Sequence, residues 1–130
     1  MLQALIYVAV IVLTRKRSAL GFGGGFFIAV FWNYINLFVN TFFKAGVQQL
    51  STLVRTGQLQ RPDLLIAVIA IAGHVLLIIG CVAGFLRMRP GIRRWGEFAL
   101  GGILAVSYFI LIIITTGPQY IRLLKKVFGL

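Results

Sequence analysis

Acidic side chains are almost absent from this sequence of 130 residues. Asp63 and Glu97 are the only two carboxylates, against 13 lysines and arginines. Each acid stands directly before a long apolar run, at a predicted helix start, where a carboxylate complements the positive end of the helix dipole. The two helix starts lie at opposite ends of a predicted hairpin, so the sequence excludes a paired general acid and base.

Cysteine and histidine are equally scarce, because Cys81 and His74 are the only representatives of their types. One thiol cannot form a disulfide within the chain, and one imidazole without further ligands at suitable spacing does not make a metal site. The glycine run 23–25 lacks the Lys-Ser/Thr pair of a phosphate-binding loop. We therefore predict no cofactor, no metal and no enzymatic activity.

Polar residues are too few to cover a soluble domain. Hydrophobic residues make up 60% of the chain and charged residues only 12%, whereas an ordinary domain has roughly 45–50% apolar and about 25% charged residues. A small soluble protein exposes a large surface relative to its volume, and this chain has too few polar side chains to cover such a surface. The composition excludes a soluble domain and predicts an integral membrane protein.

Three apolar runs, 18–43, 64–86 and 98–117, are long enough to cross a bilayer and contain no charged side chain. A crossing needs about 20 residues, and helix is the expected state because lipid offers no partner to an open strand edge. The segment 1–14 would reach only about 21 Å as a helix. We predict a short fourth span there; a half-inserted segment and an anchor packed against 18–43 are the alternatives.

Two further segments have the pattern of amphipathic helices in the membrane interface. Val47, Leu50 and Val54 share one face of 46–56, and Ile121, Leu124 and Phe128 share one face of 119–129. The sequence thus predicts an all-α, polytopic membrane protein that forms one domain over residues 1–130.

The net charge of +11 comes from four groups of cations at the edges of the apolar runs. This placement predicts contacts with anionic lipid headgroups and argues against nucleic acid as a partner. The predicted headgroup contacts are Arg15, Lys16, Arg17, Arg87, Arg89, Arg93, Arg94, Arg122, Lys125 and Lys126, and the remaining group is Lys44, Arg55 and Arg61. If the spans alternate, seven cations lie on one face and six on the other, which sets no orientation. The dense group 87–94 favours a cytoplasmic position for its turn. We expect a prokaryotic cytoplasmic membrane, with the mitochondrial inner membrane as the alternative.

An amide stripe runs along the first long span. Gly25, Ala29, Asn33, Asn36 and Asn40 fall on one helical face. Amides are costly when they face hydrocarbon unpaired, so this face meets protein or water. It either holds helices together through hydrogen bonds or forms the wall of a polar conduit or of a lipid-headgroup pocket. His74, an ionisable residue within a span, belongs to the same candidate face.

Small residues recur on every long span. They are Gly25 and Ala29 in the first, Gly73, Gly80 and Gly84 in the second, and Gly101 and Ala105 in the third. Small residues let membrane helices approach closely, so these positions predict helix packing within the chain, between copies, or against another subunit.

The hairpin 64–117 turns through the compact basic sequence Arg87-Met88-Arg89-Pro90-Gly91-Ile92-Arg93-Arg94. In this pattern it resembles the hydrophobic hairpin of conjugative pilins of the type IV secretion class. The resemblance implies apolar helices that pack with lipid into a tube, with the basic turn facing the lumen.

Together these features predict a small non-catalytic membrane subunit that assembles with itself or with larger partners. The first alternative is a homo-oligomeric pore or transporter lined by Asn33, Asn36 and Asn40, with His74 nearby. The second is a filament subunit of the pilin kind.

Overall fold

The computed structural model describes residues 2–39, 41–59 and 61–116, together with residues 121, 125 and 129. In these residues every regular element is a helix. The elements are α1 (Leu2–Arg15), α2 (Ala19–Tyr34), a π-helix that continues α2 (Ile35–Val39), α3 (Phe42–Thr56), α4 (Pro62–Arg87) and α5 (Ile92–Thr116). Three helices, α2 with its continuation, α4 and α5, are long and apolar enough to cross a membrane. The prediction of an all-helical chain with three such helices is confirmed.

The end of the first long span was predicted wrongly. The apolar run 18–43 is one uninterrupted stretch of sequence, but the helical segment ends at Val39 and a separate helix begins at Phe42. Phe42 and Phe43 are apolar residues of α3, so hydropathy alone does not reveal the break. Because Phe42 and Phe43 belong to α3, this helix begins four residues before the predicted segment 46–56.

The two other long helices extend beyond their predicted limits. α4 covers Pro62–Arg87 instead of 64–86, and α5 begins at Ile92 instead of 98. The predictions stopped at charged residues, yet Arg93 and Arg94 are good helix formers and occupy the first turn of α5. α1 has 14 residues, fewer than the three long helices, so the fourth span stays a prediction.

The central element of the bundle is α2, which contacts α1, α4 and α5. α5 runs parallel to it, because Gly101 lies against Leu20 at one end and the ring of Phe109 lies 5.5 Å from that of Trp32 further along. α4 runs antiparallel to α2, with Gly84 against the ring of Phe22. α1 is also antiparallel to α2.

The contact between α2 and α5 is the densest in the bundle, and glycine makes it possible. A Cβ atom on Gly23 would collide with the backbone of Phe98, and one on Gly101 would collide with the backbone of Leu20. The two backbones therefore touch without intervening side chains. Further along, Ile28 and Phe109 are fully buried in the core between these helices.

Several predicted residues lie outside the described part of the chain. Asn40, Arg122 and Lys126 are among them, and so is most of the predicted interfacial helix 119–129. Lys125 is described and is exposed.

Candidate functional site

A cleft of about 680 Å³ opens between α1, α2 and α4. Tyr7 of α1, Trp32 of α2, Asn36 of the π-helix and His74 of α4 line its inner part, and Asp63 lies among its lining residues at the start of α4. The cleft thus unites two members of the predicted polar face, Asn36 and His74, with aromatic residues that the sequence did not connect to them.

Tyr7 and His74 form the hydrogen bond at the centre of this cleft. The Tyr7 hydroxyl lies 2.7 Å from Nε2 of His74, and Nδ1 of the same ring lies 2.7 Å from the carbonyl oxygen of Ala70. A carbonyl oxygen only accepts, so Nδ1 carries the proton and donates it to Ala70. Nε2 of the neutral ring then accepts from the Tyr7 hydroxyl. The pair links α1 to α4 across 67 positions of sequence.

Aromatic rings surround the histidine. The ring centroid of His74 lies 5.8 Å from that of Tyr7 and 6.2 Å from that of Trp32. The side-chain amide of Asn36 donates to the Trp32 carbonyl at 2.9 Å. The cleft therefore combines a hydroxyl, an imidazole and an amide, all hydrogen-bonded within the chain, with aromatic surface.

The amide stripe is divided between two environments. Asn33 is only 8% exposed and is not among the residues that line the cleft. Its Oδ1 atom accepts no hydrogen bond from the described residues. Asn36 belongs to the π-helix, whose wider turn departs from the 3.6-residue period on which the predicted stripe rests. Asn33 and Asn36 therefore lie in different surroundings, and the role of the predicted polar face stays a prediction.

The two acidic residues, Asp63 and Glu97, differ in their positions relative to the starts of their helices. Asp63 lies in the first turn of α4, as predicted, and its carboxylate accepts two hydrogen bonds from Arg61, at 2.7 and 2.9 Å. Glu97 does not lie at a helix start, because α5 begins five residues earlier; it pairs with Arg93 one turn away at 3.5 Å. In the described ranges, no group of three His, Cys, Asp or Glu side chains comes together.

The outer surface of α4 is the second feature of functional interest. Ile66, Ile69 and Leu76 are 66%, 71% and 68% exposed. Gly73 and Gly80 lie on the same face, and a Cβ atom on either glycine would meet nothing within 4 Å. Ile66 and Gly73 also belong to the lining of the cleft. Of the three predicted uses of these glycines, packing within the chain is not seen at Gly73 and Gly80, and packing between copies or against another subunit stays a prediction.

Other predicted packing residues do face inward. Gly25 lies against Cys81 and Val10, and Gly84 lies against Phe22. Ala29 and Ala105 are buried, and Gly101 lies against α2 as described above.

The amphipathic helix α3 presents its apolar face outward. Val47, Leu50 and Val54 are exposed, and the buried residues of this helix are Gly46 and Gln49. Gly46 lies against the backbone of Leu64, so α3 packs on α4 through its small and polar side. The apolar side of α3 is thus exposed, as is an apolar side of α4.

Seven cations collect at one end of the bundle. The turn 16–18 and the turn 88–91 lie at the same end because α1 and α4 both run antiparallel to α2. This end carries Arg15, Lys16, Arg17, Arg87, Arg89, Arg93 and Arg94, all of them exposed. Arg17 and Arg89 have φ values of 52° and 48°, in the left-handed region where glycine is the usual residue.

No protein-family model, no curated protein and no solved structure matches this chain. The resemblance of the hairpin 64–117 to conjugative pilins therefore stays a prediction.

Proposed function

We propose that this chain is a small, non-catalytic integral membrane subunit whose helix α4 packs against a neighbouring membrane helix, from a second copy or from a larger partner. The exposed face of α4 carries the proposal. Its exposed residues Ile66, Ile69, Gly73, Leu76 and Gly80 follow one another at alternating steps of three and four residues.

The apolar surface of α4 is suited to a lipid bilayer. α4 has a mean hydropathy of 2.8 over its most apolar window, and only 6% of that window is buried inside the chain. Exposing this surface to water would cost a free energy of about 25 cal/mol per Å² of apolar area. In a bilayer it needs no cover. A membrane rich in anionic lipid, such as a prokaryotic cytoplasmic membrane, also suits the charge of +11.

The glycines favour a protein neighbour over lipid alone. Glycine within a helix costs about 1 kcal/mol relative to alanine, and on this face it supplies no contact inside the chain. Gly73 and Gly80 are seven residues apart, and a seven-residue period keeps one seam of a helix facing a partner helix. Small residues in such a seam let two backbones approach closely. The pattern thus fits a helix–helix contact that crosses at about 20°.

The test uses the space around these glycines. In the single chain, Gly73→Ile and Gly80→Ile side chains meet nothing within 4 Å of the Cβ position, and they raise helix propensity. The double variant is therefore expected to keep its helix content while losing the complex that wild type forms in mild detergent, as measured by mass. Gly96→Ile is the matched control, because Gly96 is exposed on α5 with equally open space.

Two results would remove the proposal. One is a wild-type chain that is monomeric in native lipid particles with no co-purifying protein. The other is a double variant that forms the same complex as wild type.

The cleft supports a second candidate function, a homo-oligomeric pore or transporter. The supporting observation is that Asn36 and His74 lie in one cleft with Tyr7. Solute flux in liposomes is expected to fall when Asn36→Leu and His74→Phe are combined, and to persist in Asn33→Leu, because Asn33 lies outside the cleft. Flux that is unchanged in the double variant, or absent in wild type, removes this candidate.

A further inference from the structure

A second concave surface, of about 350 Å³, runs between α1, α2 and α5. Glycines form much of one end: Gly21 and Gly24 from α2, and Gly101 from α5. Ala9 and Leu13 of α1 and Leu104 of α5 add aliphatic walls, so the lining is almost entirely apolar. The groove contains no residue of α4 and is therefore separate from the face of α4 that is proposed to contact another helix.

The groove ends at a cluster of positive charge. Leu13 and Gly21 belong to its lining, and the turn between α1 and α2 lies between them in sequence and carries Arg15, Lys16 and Arg17. All three cations are exposed. In the ion pairs of the described residues, Asp63 pairs with Arg61 and Glu97 pairs with Arg93, so both acidic side chains pair with cations other than these three.

The turn itself is tightly fixed. The amide of Ser18 donates to the Leu13 carbonyl and the amide of Arg17 donates to the Thr14 carbonyl, both at 2.9 Å. These are the two bonds of a Schellman motif, whose left-handed position is usually glycine. Here Arg17 occupies it with a φ of 52°. A strained backbone at a charged residue points to a requirement for the side chain that packing within the chain does not supply.

We propose that this groove holds one acyl chain of an anionic phospholipid, whose phosphate group lies against the turn of Arg15, Lys16 and Arg17. The apolar walls accept the acyl chain, and the exposed cations complement the headgroup. A second copy of this chain fits less well in the same place, because it would bring another seven cations to an end that already carries seven.

The headgroup determines which lipid binds. An acyl chain is surrounded by apolar groups both in the bilayer and in the groove, so it contributes little selectivity. The cations distinguish a phosphatidylglycerol, with net charge −1, from a zwitterionic phosphatidylcholine with the same acyl chains. A selectivity of about tenfold or more is expected, because each cation near a charged headgroup contributes to the preference.

The experiment is native mass spectrometry of the full chain, released from detergent with equal amounts of dioleoyl phosphatidylglycerol and dioleoyl phosphatidylcholine. Wild type is expected to retain one phosphatidylglycerol. Ala9→Phe places a ring in the groove at an exposed position and is expected to remove this lipid. Val8→Phe is the matched control, because Val8 is exposed on the same helix but is not part of the groove lining.

A second pair of variants separates a headgroup site from general charge attraction. Arg15→Gln with Lys16→Gln removes two cations at the groove, whereas Lys44→Gln with Arg55→Gln removes two elsewhere. The first pair is expected to lower phosphatidylglycerol retention about tenfold and the second to leave it near the wild-type level. Equal loss in both pairs would overturn the proposal, as would equal retention of the two lipids by wild type. An Ala9→Phe variant that keeps its lipid but loses a protein neighbour would instead assign the groove to a helix.

Discussion

Gly101 of α5 and two glycines of α4, Gly73 and Gly80, have opposite surroundings. A Cβ atom on Gly101 would collide with the backbone of Leu20, whereas one on Gly73 or Gly80 would meet nothing. The first kind of glycine is explained by the chain's own packing. The second kind has no explanation within the chain, although it carries the same cost in helix propensity. The difference separates surfaces that make this fold from surfaces that serve something outside it.

Gly101→Leu is expected to have the largest effect on stability, because it disrupts the close contact between α2 and α5. The backbones of α2 and α5 would have to separate, at a cost above about 3 kcal/mol. Thermal unfolding in detergent, followed by circular dichroism, measures the loss. Gly24→Ala is the control, since its Cβ would lie at ordinary contact distances of 3.5 to 3.7 Å. A melting temperature that is unchanged in Gly101→Leu would contradict the described contact.

Tyr7→Phe is expected to have an intermediate effect, because it removes the hydrogen bond that holds α1 to α4. A hydrogen bond between membrane helices contributes about 0.6 kcal/mol on average. The variant also leaves Nε2 of His74 unpaired, so the free energy of unfolding is expected to fall by about 1–2 kcal/mol in total. The same unfolding measurement applies, with Tyr34→Phe as the exposed control. If both variants melt alike, the Tyr7–His74 bond does not hold the helices together.

Arg17→Gly is expected to have the smallest effect on the free energy of unfolding, and it is expected to raise that free energy where the other two variants lower it. A left-handed backbone costs an L-residue roughly 1 kcal/mol, and glycine removes most of that cost while adding flexibility to the unfolded chain. We expect unfolding to become harder by up to about 1 kcal/mol and retention of phosphatidylglycerol to fall. This result would mean that Arg17, like Gly73 and Gly80, does not stabilise the fold and instead contacts a partner or lipid outside the chain. Lower stability in Arg17→Gly would mean that the arginine side chain supports the turn itself.

The long helices could be predicted from the sequence because their signal is local. Each apolar run exceeds the length of a bilayer crossing, and backbone hydrogen bonding in lipid requires a helix. The break near residue 40 could not be predicted in this way, because Phe42 and Phe43 continue the apolar run into α3. Hydropathy also could not show that α5 begins at Ile92, since arginines end an apolar run without ending a helix.

The candidate site was predictable only in part. Asn36 and His74 stood out as polar residues within apolar runs, but Tyr7 carries no local signal that pairs it with a histidine 67 positions away. Gly73 and Gly101 are alike in sequence, since each lies in an apolar helix with small neighbours. Only the three-dimensional arrangement shows which glycine contacts a backbone and which lies open.

The most direct test of the central claim is a photo-crosslinking scan along α4 in native membranes. Benzoylphenylalanine is placed in turn at each residue from 66 to 80. Protein adducts are expected to peak at residues 66, 69 and 76 and to decline between them, with few adducts at the exposed Val8 of α1. Few adducts are also expected at 73 and 80, because the bulky residue there replaces a glycine that the contact requires. A scan that yields no protein adducts, or equal adducts at every exposed position, would contradict a helix–helix contact on this face.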